Sequence, residues 1–400
     1  MAHRSRRDGI MDEYQEALSL ADETVRNRRH IHQNAEVGLD LPKTVDFVCE
    51  KLEEYGLAPK RCGHGVTATL GHGGKVLLLR ADMDALPMYE ASGEPFSCAD
   101  GAVHACGHDM HAAMLLCAAR MLKEREDELA GTVKLMFQPA EEVFKGSLDM
   151  MAAGILEDPH VDAALAYHVG AGRMPAGLYM YNDADTMMFS VDGFRIKVLG
   201  KPSHGAYPEL GVDPINIGVH VHLALQELVA RECSSYKSCV LTVGQFHAGS
   251  AANSIPAEAV LEGTLRTDDE ELRQHVLGRI REVAVRQAEV FGGTAEVTSL
   301  SACPPLVCDP DLTREMVGYM GEMDVPGMTP VPGVHASASE DFSFVAQRVP
   351  STFMYLSAGY EDERGERPAH DPRVRFNEEV LPIGAACLTH CAVRWLENNR

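Results

Sequence analysis

Three apolar segments alternate with helix-like segments in the N-terminal half of the chain, and this alternation restricts the fold more than any other feature. The segments are "KVLLLRADMDALP", "GTVKLMFQPAEE" and "VDAALAYHVG", each apolar at most positions until a polar cluster. Such runs are typical of strands buried on both faces, as in a parallel sheet. The amphipathic patterns "TVDFVCEKLEEYGL" and "MHAAMLLCAARMLKERE" predict helices between or beside them. The sequence therefore predicts an α/β domain with a mostly parallel sheet flanked by helices.

The pattern changes between residues 189 and 302. Strand-like and helix-like segments follow the order β-α-β-β-α-β there, which is typical of a ferredoxin-like α+β unit. The earlier kind of pattern resumes at "DLTREMVGYMGEM" and "STFMYLSAG". We therefore predict that the α/β domain comes in two parts, residues 1–188 and 303–400, with the ferredoxin-like domain inserted at 189–302.

Composition excludes several classes of partner. The chain has 36 basic and 59 acidic residues and a net charge of -23, which disfavours binding to nucleic acid or to an anionic membrane. No apolar run reaches the roughly 18 residues that span a bilayer, and the N-terminus has no apolar signal segment. Eleven cysteines without a framework spacing then favour reduced thiols and a cytoplasmic location. Met11 is an alternative start to Met1, and residues 11–32 predict one amphipathic helix.

Metal-binding residue types are concentrated in the stretch "HACGHDMH", residues 104–111. Cys106 and His108 lie ahead of a predicted helix, on a loop where both can face one point. Thiolate and imidazole together suit zinc and related divalent cations. On this motif alone, a buried cysteine beside an ordinary histidine explains the pair equally well. His104 and His111 are interpreted as structural or supporting residues.

Further carboxylates and histidines follow the predicted strands, whose carboxyl ends meet at one edge of a parallel sheet. Glu141 and Glu142 diverge in direction, so that one can bind a metal while the other activates water. A carboxylate at Asp84, directly after a buried strand, needs a partner such as an arginine or a metal-bound histidine. The remaining candidates are His168, at the end of the third apolar run, and His370, after the insert.

Three other functions are compatible with parts of this pattern. A cysteine hydrolase would use Cys106 as nucleophile with a histidine base, but it would leave Glu141 and Glu142 without a role. A zinc deaminase would need a P-C-x-x-C motif, which the sequence lacks. A non-catalytic carboxylate- or metal-binding protein would not need an acid at Glu141 beside the ligand residue.

Eight motifs occur in an order that resembles a known family. They are "RADMDALP", "HACGHDMH", "QPAEE", "AYHV", "GKPSHGAYPELGVDP", "NSIP", "GTLRT" and "SEDFS". Together they resemble the amidohydrolase branch of the aminoacylase and carboxypeptidase-G-like metallopeptidase family. That branch includes hippurate hydrolases, N-acyl-amino-acid amidohydrolases, N-acetyldiaminopimelate deacetylases and indole-acetyl-amino-acid hydrolases. The resemblance extends from about Arg28 to Asn377, and as a set the motifs are highly specific.

The resemblance implies two divalent cations per chain, zinc or manganese, with cobalt or nickel as alternatives. Cys106 would bridge the two cations in place of an aspartate used in sister branches. Glu142 and His370 would complete one site, and His108 and His168 the other. Glu141 would be the general base, and Asp84 would orient a group beside the metal. Asp82 falls where sister branches have a metal-binding histidine, and we do not predict it to be a ligand.

The resemblance also implies that the insert is a lid and dimerisation domain. His204 would help to bind the substrate and polarise its carbonyl, within its own chain or across a dimer. Asn253 and Arg266 would hold the substrate carboxylate, although Arg266 is also explained by pairing with Asp268 or Asp269. Tyr207 is a further candidate for substrate binding. It stands where methionine is common in the branch, so the shape of the side-chain pocket is left open.

The function implied is hydrolysis of an N-acyl amino acid to a carboxylic acid and a free amino acid, through a hydroxide that bridges the two cations. A dipeptidase or carboxypeptidase-like hydrolase on the same dinuclear site is the alternative. The expected partner is a small-molecule substrate. A homodimer or higher oligomer through the lid is also expected.

Overall fold

The computed structural model describes residues 12–400, which form two compact units. The first unit takes the chain up to Asp185, together with Cys308–Val334 and Phe344–Arg400. The second unit comprises Thr186–Val307 and His335–Ser343, so the predicted insert at 189–302 falls within it. The choice between Met1 and Met11 as the start lies outside the described residues.

Strands and helices are interspersed along the whole of the described chain. In chain order, the strands are β1 (Lys60–Cys62), β2 (Gly65–Gly71), β3 (Val76–Asp82), β4 (Thr132–Gln138), β5 (Ala163–Gly170), β6 (Leu178–Tyr181), β7 (Thr186–Met188), β8 (Val191–Leu199), β9 (Ser203–His204), β10 (Cys239–Ala248), β11 (Ser254–Ile255), β12 (Glu258–Thr267), β13 (Thr294–Cys303), β14 (Leu306–Val307), β15 (Thr329–Pro332) and β16 (Ser351–Ser357). The helices are α1 (Glu13–Ser19), α2 (Ala21–Gln33), α3 (Pro42–Glu54), α4 (His108–Glu124), α5 (Gly146–Ala152), α6 (Pro214–Arg231), α7 (Glu270–Val290), α8 (Pro310–Met320), α9 (Ser343–Ala346) and α10 (Leu381–Asn398).

The first unit is built on an eight-stranded sheet in the order β1-β2-β4-β3-β5-β16-β6-β15. The four central strands β4, β3, β5 and β16 are parallel to one another, whereas β2 runs antiparallel to β4 and β1 runs antiparallel to β2. Every residue of β3 and β4 is buried, as continuous apolar runs require when both faces are covered. Helices α3, α4, α5 and α8 pack against the sheet. The predicted α/β fold with a mostly parallel sheet and flanking helices is therefore confirmed.

The strand register brings the chemistry-bearing residues to one edge of this sheet. Asp82, the last residue of β3, pairs with Gln138, the last residue of β4. Arg80 of β3 pairs with Ala166 of β5, which places His168 at the same level as Asp82. The segments that continue from these strands carry the predicted acids, so the carboxyl edge of the sheet is where they meet.

Two predicted helices differ from the observed ones. The helix predicted at 11–32 is two helices, α1 and α2, because the chain tightens at Leu20, whose N–H donates to the carbonyl of Ala17. The amphipathic pattern runs through both helices, so it could not show the interruption. Helix α4 begins at His108, inside the histidine cluster rather than after it, directly following Gly107 in the left-handed conformation.

The second unit contains a four-stranded antiparallel sheet in the order β10-β12-β8-β13. Helices α6 and α7 pack on it and share one core with the strands, including Ile196, Val221, Leu261 and Ile280. In chain order this is strand, helix, strand, strand, helix, strand, as predicted for a ferredoxin-like α+β unit.

Two further observations concern membrane-spanning helices and cysteines. Within residues 12–400, no helix combines the length and the apolar character that crossing a membrane requires. All eleven cysteines are free thiols. The cytoplasmic location stays a prediction.

Candidate metal centre and active site

The predicted metal ligands lie together at the carboxyl edge of the first unit's sheet. They form two groups of three that share Cys106, one with His108 and His168 and the other with Glu142 and His370. In each group the candidate ligand atoms lie within 4.8 Å of one another. Cys106 Sγ is 3.4 Å from His168 Nε2, and Glu142 Oε1 is 3.5 Å from His370 Nε2. The two groups have the membership that the resemblance implied, and metal binding by these residues stays a prediction.

The hydrogen bonds of His108 fix which ring nitrogen faces the site. Its Nδ1 lies 2.9 Å from the backbone carbonyl oxygen of Asp84. Since a carbonyl oxygen only accepts, Nδ1 carries a proton, and in the neutral ring the free electron pair then lies on Nε2. Nε2 lies 3.7 Å from Asp82 Oδ2 and 4.0 Å from Glu142 Oε1, too far from either for a hydrogen bond. This is the orientation of a metal-binding imidazole, whose second nitrogen is held by a carbonyl or carboxylate.

His168 has the same arrangement. Its Nδ1 is 2.8 Å from the backbone carbonyl oxygen of Val169, so Nδ1 donates and Nε2 is available toward Cys106 Sγ. His168 is also buried in the edge of the sheet, at 8% exposure. In their neutral forms, His108 and His168 therefore both direct a lone pair toward the proposed centre at Cys106.

His111 differs, because both of its ring nitrogens are already used. The N–H of Val169 donates to His111 Nε2 at 2.7 Å, so Nδ1 must carry the proton that it donates to Asp82 Oδ1 at 2.5 Å. The other oxygen of Asp82 lies 2.6 Å from Arg80 Nη1. Burial would raise the pKa of Asp82, but Arg80, His108 and His111 outweigh it and hold that pKa well below its ordinary value. Asp82 at the end of β3 and His111 on α4 are thus structural partners, and His111 also accepts a hydrogen bond from the backbone of β5.

Two buried atoms test whether the residues present fit a cation. Among residues 12–400, neither His108 Nε2 nor Glu142 Oε1 has a hydrogen-bond partner. Leaving such buried polar atoms unsatisfied costs about 1–3 kcal/mol each, so they need a partner. Burial also raises the pKa of Glu142, despite the opposing effect of His108 and His370. One thiol, three imidazoles and a carboxylate around these atoms form a donor set that suits zinc and related divalent cations.

Asp84 holds the two adjacent glutamates in place. Its Oδ1 accepts the backbone N–H of Glu141 at 3.0 Å, and its Oδ2 accepts the backbone N–H of Glu142 at 3.2 Å. Oδ1 also lies 3.4 Å from His108 Nδ1. An arginine or a histidine was expected as the partner of Asp84. The observed partners are His108 and the backbone amides of Glu141 and Glu142, and no arginine is among them. The turn at Ala140, with φ +53°, precedes this pair and directs both acids toward the sheet edge.

Glu141 lies beside the ligand groups. Its residue is 5% exposed, and a carboxylate oxygen lies within 4.8 Å of candidate ligand atoms of His108 and Glu142. His370 reaches the centre from a distant segment, because its N–H donates to the carbonyl of Ala105 at 2.9 Å. This bond fixes His370 next to the loop that carries Cys106.

In the second unit, three of the predicted substrate-binding residues lie near one another. Strand β9 pairs with β11 so that His204 faces Ser254, and the N–H of Gly205 donates to the carbonyl of Asn253 at 2.8 Å. The rings of His204 and Tyr207 have centroids 5.7 Å apart. His204, Tyr207 and Asn253 are all exposed in this unit.

Arg266 is not paired with the neighbouring aspartates. Its Nη1 donates to the carbonyl of Ser337 at 3.1 Å and to Ser339 Oγ at 3.3 Å. Asp269 instead pairs with Lys237 at 2.6 Å, and Asp268 accepts the N–H of Ser238 at 2.8 Å. The structure therefore gives no support to the alternative explanation of Arg266.

Sequence reasoning missed one group of buried charges behind the centre. Asp109, the residue after His108, contacts Arg28 and His32 of α2, and His32 also contacts Glu90. Arg28 and His32 are four residues apart on a helix, so they share a face. That spacing within "RRHIH" is the signal that could have indicated a common partner.

Comparison with known proteins agrees with this geometry. The model of the family described as Peptidase family M20/M25/M40 matches residues 78–394. The chain belongs to this family. The N-acetyl-L-cysteine deacetylase of Bacillus subtilis (strain 168) is 33% identical over 392 residues, covering 95% of this chain and 90% of that protein. As a member of the M20/M25/M40 family, the chain is a hydrolase that acts on amide bonds.

Two other relatives of this peptidase family cover nearly the whole chain. The IAA-amino acid hydrolase ILR1-like 4 of Arabidopsis thaliana is 36% identical over 382 residues, covering 92% of this chain and 84% of that protein. A solved structure, the Bacillus subtilis YXEP protein, is described as a dinuclear metal binding peptidase from the M20 family. It superposes with a TM-score of 0.80 at 29% identity and covers 95% of this chain and 99% of its own.

Gly107 is expected to be irreplaceable between Cys106 and His108. It has φ +90°, and an added Cβ would lie 2.4 Å from Val169 Cγ2. We expect Gly107→Ala to lose about 1–3 kcal/mol from the strained backbone, and more from the displaced strand end. Urea unfolding measures the loss. Gly73→Ala is the matched control, since Gly73 has φ +66° but no atom within 4 Å of the added Cβ. Equal losses in the two variants would show that the contact with Val169 is unimportant.

Proposed function

We propose that this chain is a dinuclear metal-dependent amidohydrolase that cleaves N-acyl amino acids to a carboxylic acid and a free amino acid. The observation that carries the proposal is the pair of ligand groups sharing Cys106, with Glu141 beside them. Two relatives support the substrate class, because one is named for the deacetylation of N-acetyl-L-cysteine and the other for the hydrolysis of IAA-amino acids. A dipeptidase or carboxypeptidase-like activity on the same centre is the alternative.

The five proposed ligands divide between two sites. Cys106, His108 and His168 would hold one cation, and Cys106, Glu142 and His370 the other. We propose zinc or manganese, with cobalt or nickel as alternatives. When bound, such cations supply a water of lowered pKa and polarise the substrate carbonyl.

Glu141 is the proposed general base. Its carboxylate takes the proton of the attacking water and later passes it to the leaving amine, so one residue serves both proton transfers. Asp84 supports this role by holding the Glu141 backbone through a hydrogen bond of 3.0 Å. Burial within the sheet edge keeps the carboxylate in a fixed position and away from bulk water.

The second unit supplies the proposed substrate contacts. His204 would donate a hydrogen bond to the carbonyl oxygen as negative charge develops on it, a contribution of about 3 kcal/mol per donor. Arg266 and Asn253 would bind the α-carboxylate, which explains how a chain with net charge -23 accepts an anion. Tyr207, beside His204, would contact the substrate side chain.

The cysteine-hydrolase alternative is disfavoured by the surroundings of Cys106. Burial raises the pKa of this thiol well above its ordinary value, although His108 acts in the opposite direction. A nucleophilic cysteine needs a lowered pKa that maintains the thiolate without a metal, whereas a cation itself deprotonates the thiol that binds it. A chelator that abolishes activity reversibly would exclude this alternative, and a panel of N-acyl amino acids and dipeptides separates the two amide-hydrolase activities.

The variant Glu141→Gln should keep both metals but lose turnover by roughly 10²–10⁴-fold or more, because an amide cannot accept the proton of the water. Cys106→Ala is the matched comparison, since it should lose metal as well as activity. Elemental analysis of metal-loaded samples and the turnover of an N-acetyl amino acid measure the two effects. A wild-type chain with no more than one metal, or Glu141→Gln with near-normal turnover, would contradict the proposal.

Substrates with a free α-carboxylate should be cleaved far better than the matching carboxamides. A charge-assisted hydrogen bond contributes about 1.5–3 kcal/mol, so Arg266→Ala should lower kcat/KM for the free acid by roughly ten- to a hundredfold. The same variant should hardly change kcat/KM for the carboxamide.

The matched control for Arg266 is Arg195→Ala. Arg195 is an exposed arginine of the same sheet that pairs with Glu262 at 2.6 Å. Arg195→Ala should change kcat/KM neither for the free acid nor for the carboxamide. If Arg266→Ala reduced the cleavage of acid and carboxamide by the same factor, Arg266 would be a structural residue that holds Ser337 and Ser339.

We also propose a homodimer through the second unit. Helix α6 exposes three apolar side chains at four-residue spacing, Ile215, Val219 and Leu223. Strand β10 packs next to this helix at an edge of the four-stranded sheet and exposes Val240 and Phe246. An apolar stripe beside an open strand edge favours a partner of the same shape, and a second copy provides one.

Leu223→Glu should convert the dimer to a monomer, because it places a charge in the apolar stripe of Ile215, Val219 and Leu223. Leu223 is the most exposed of the three, at 57% exposure. Sedimentation or light scattering measures the mass. Leu300→Glu is the control, since Leu300 is 48% exposed on β13 at the opposite edge of the sheet. A monomeric wild type, or a monomer produced only by Leu300→Glu, would refute this interface.

A further inference from the structure

A buried group of charges lies directly behind the proposed metal ligands. Asp109 follows His108 in the first turn of α4 and has a fully buried side chain. Its Oδ2 lies 2.6 Å from Arg28 Nε and 2.8 Å from His32 Nδ1. The side chains of Arg28 and His32 are only 4% and 6% exposed, so these contacts are shielded from water. Helix α4 is therefore anchored to α2 at the residue next to a proposed ligand.

The group continues to the segment between β3 and α4. His32 Nε2 lies 3.1 Å from both carboxylate oxygens of Glu90, and Glu90 Oε2 accepts the N–H of Cys98 at 2.9 Å. Because both ring nitrogens of His32 face carboxylates, which only accept, the imidazole must carry two protons. Two cations, Arg28 and His32, then face two anions, Asp109 and Glu90, and the further anion Glu378 that contacts Arg28 is also paired with Arg29. Such pairing is what allows four charged groups to be buried together.

Arg28 also connects this group to the other ligand-bearing segment. Its Nη1 lies 3.1 Å from Glu378 Oε1, in the segment that follows His370. His108 and Asp109 are neighbours on a helix, so they point about 100° apart, one into the metal centre and the other toward α2. Fixing the direction of Asp109 therefore fixes the rotation of the first turn of α4, and with it the direction of His108.

We propose that Asp109, His32, Arg28 and Glu90 are positioning residues that set metal affinity by holding the Cys106–His108 loop in its ligand-presenting conformation. The inference rests on the ligand set of the proposed function. A loop that is already ordered pays little conformational entropy when a cation binds. Groups that orient metal ligands typically change metal affinity by roughly 10–100-fold when they are substituted.

Asp109→Asn and His32→Gln test the proposal on the full chain, with zinc as the probe. Each metal-free variant competes for zinc with a fluorescent chelator of known affinity. We expect zinc affinity to fall by at least about tenfold in both variants. At saturating zinc, kcat and KM should return close to their wild-type values, because the ligands and Glu141 are unchanged. A merely structural role would lower the unfolding temperature without moving the zinc titration.

Asp192→Asn is the matched control. Asp192 forms an equally buried ion pair in the second unit, with its oxygens 2.6 and 2.8 Å from Arg273 Nε and Nη2. This variant should lower thermal stability and leave zinc affinity unchanged. If it weakened zinc binding as much as His32→Gln, general destabilisation would explain the effect and the inference would be wrong.

The remaining outcomes are also decisive. If Asp109→Asn does not fold, His32→Gln and Glu90→Gln decide, because both leave the Arg28–Asp109 pair in place. Wild-type zinc affinity in these folded variants would overturn the positioning role while leaving the proposed function intact. A wild-type chain that binds no zinc, manganese, cobalt or nickel would overturn the proposed function itself.

Discussion

The buried carboxylate of Asp84 is the contact on which the rest of the centre depends. It sits just beyond the end of β3 and accepts two consecutive backbone N–H groups from the segment that follows β4. The backbone carbonyl oxygen of the same residue fixes the ring of His108. Asp84 thus connects the ends of β3 and β4 to the start of α4. It orients the proposed base Glu141 and the proposed ligands Glu142 and His108. A carboxylate at this depth is stable only because every one of these groups is arranged around it.

The histidines show how hydrogen bonding divides similar side chains between different roles. His108 and His168 each donate one N–H to a backbone carbonyl, so the neutral ring of each keeps its one lone pair on the nitrogen that faces the centre. His111 has a backbone N–H on one nitrogen and Asp82 on the other, which leaves nothing for a metal. His32 lies between two carboxylates and is held as a cation. The same residue type therefore serves as proposed ligand, structural partner and buried charge, according to what each nitrogen contacts.

The residues of the proposed centre are supported by further buried residues that lie behind them. The proposed ligands and Glu141 carry the atoms that would bind metal or move protons, and Asp84 orients Glu141, Glu142 and His108 among them. Behind these, Asp109 and its partners tie the first turn of α4 to α2 and to the segment after His370. Metal ligands tuned in this way bind in a fixed geometry because their supports are themselves buried and paired. Of the substrate-binding residues proposed in the second unit, His204, Tyr207 and Asn253 are exposed, as expected of residues that must meet a ligand from solvent. Arg266 is half-buried and hydrogen-bonded to Ser337 and Ser339.

The amino-acid pattern alone predicted the central strands, the ferredoxin-like order of the second unit and the strand-end positions of the acids. Burial on two faces produces continuous apolar runs, and a sheet presents its strand ends together. The sequence also pointed to Cys106, His108, Glu142, His168 and His370, through motifs in a fixed order. The break at Leu20 and the start of α4 at His108 were not predictable, since a hydrophobic pattern continues through both. The folded structure was needed to show which histidine nitrogens lack a protein partner, that Asp84 accepts hydrogen bonds from backbone amides, and that Arg28 and His32 contact Asp109. Those facts depend on contacts between residues up to about eighty positions apart, and no local pattern in the chain records them.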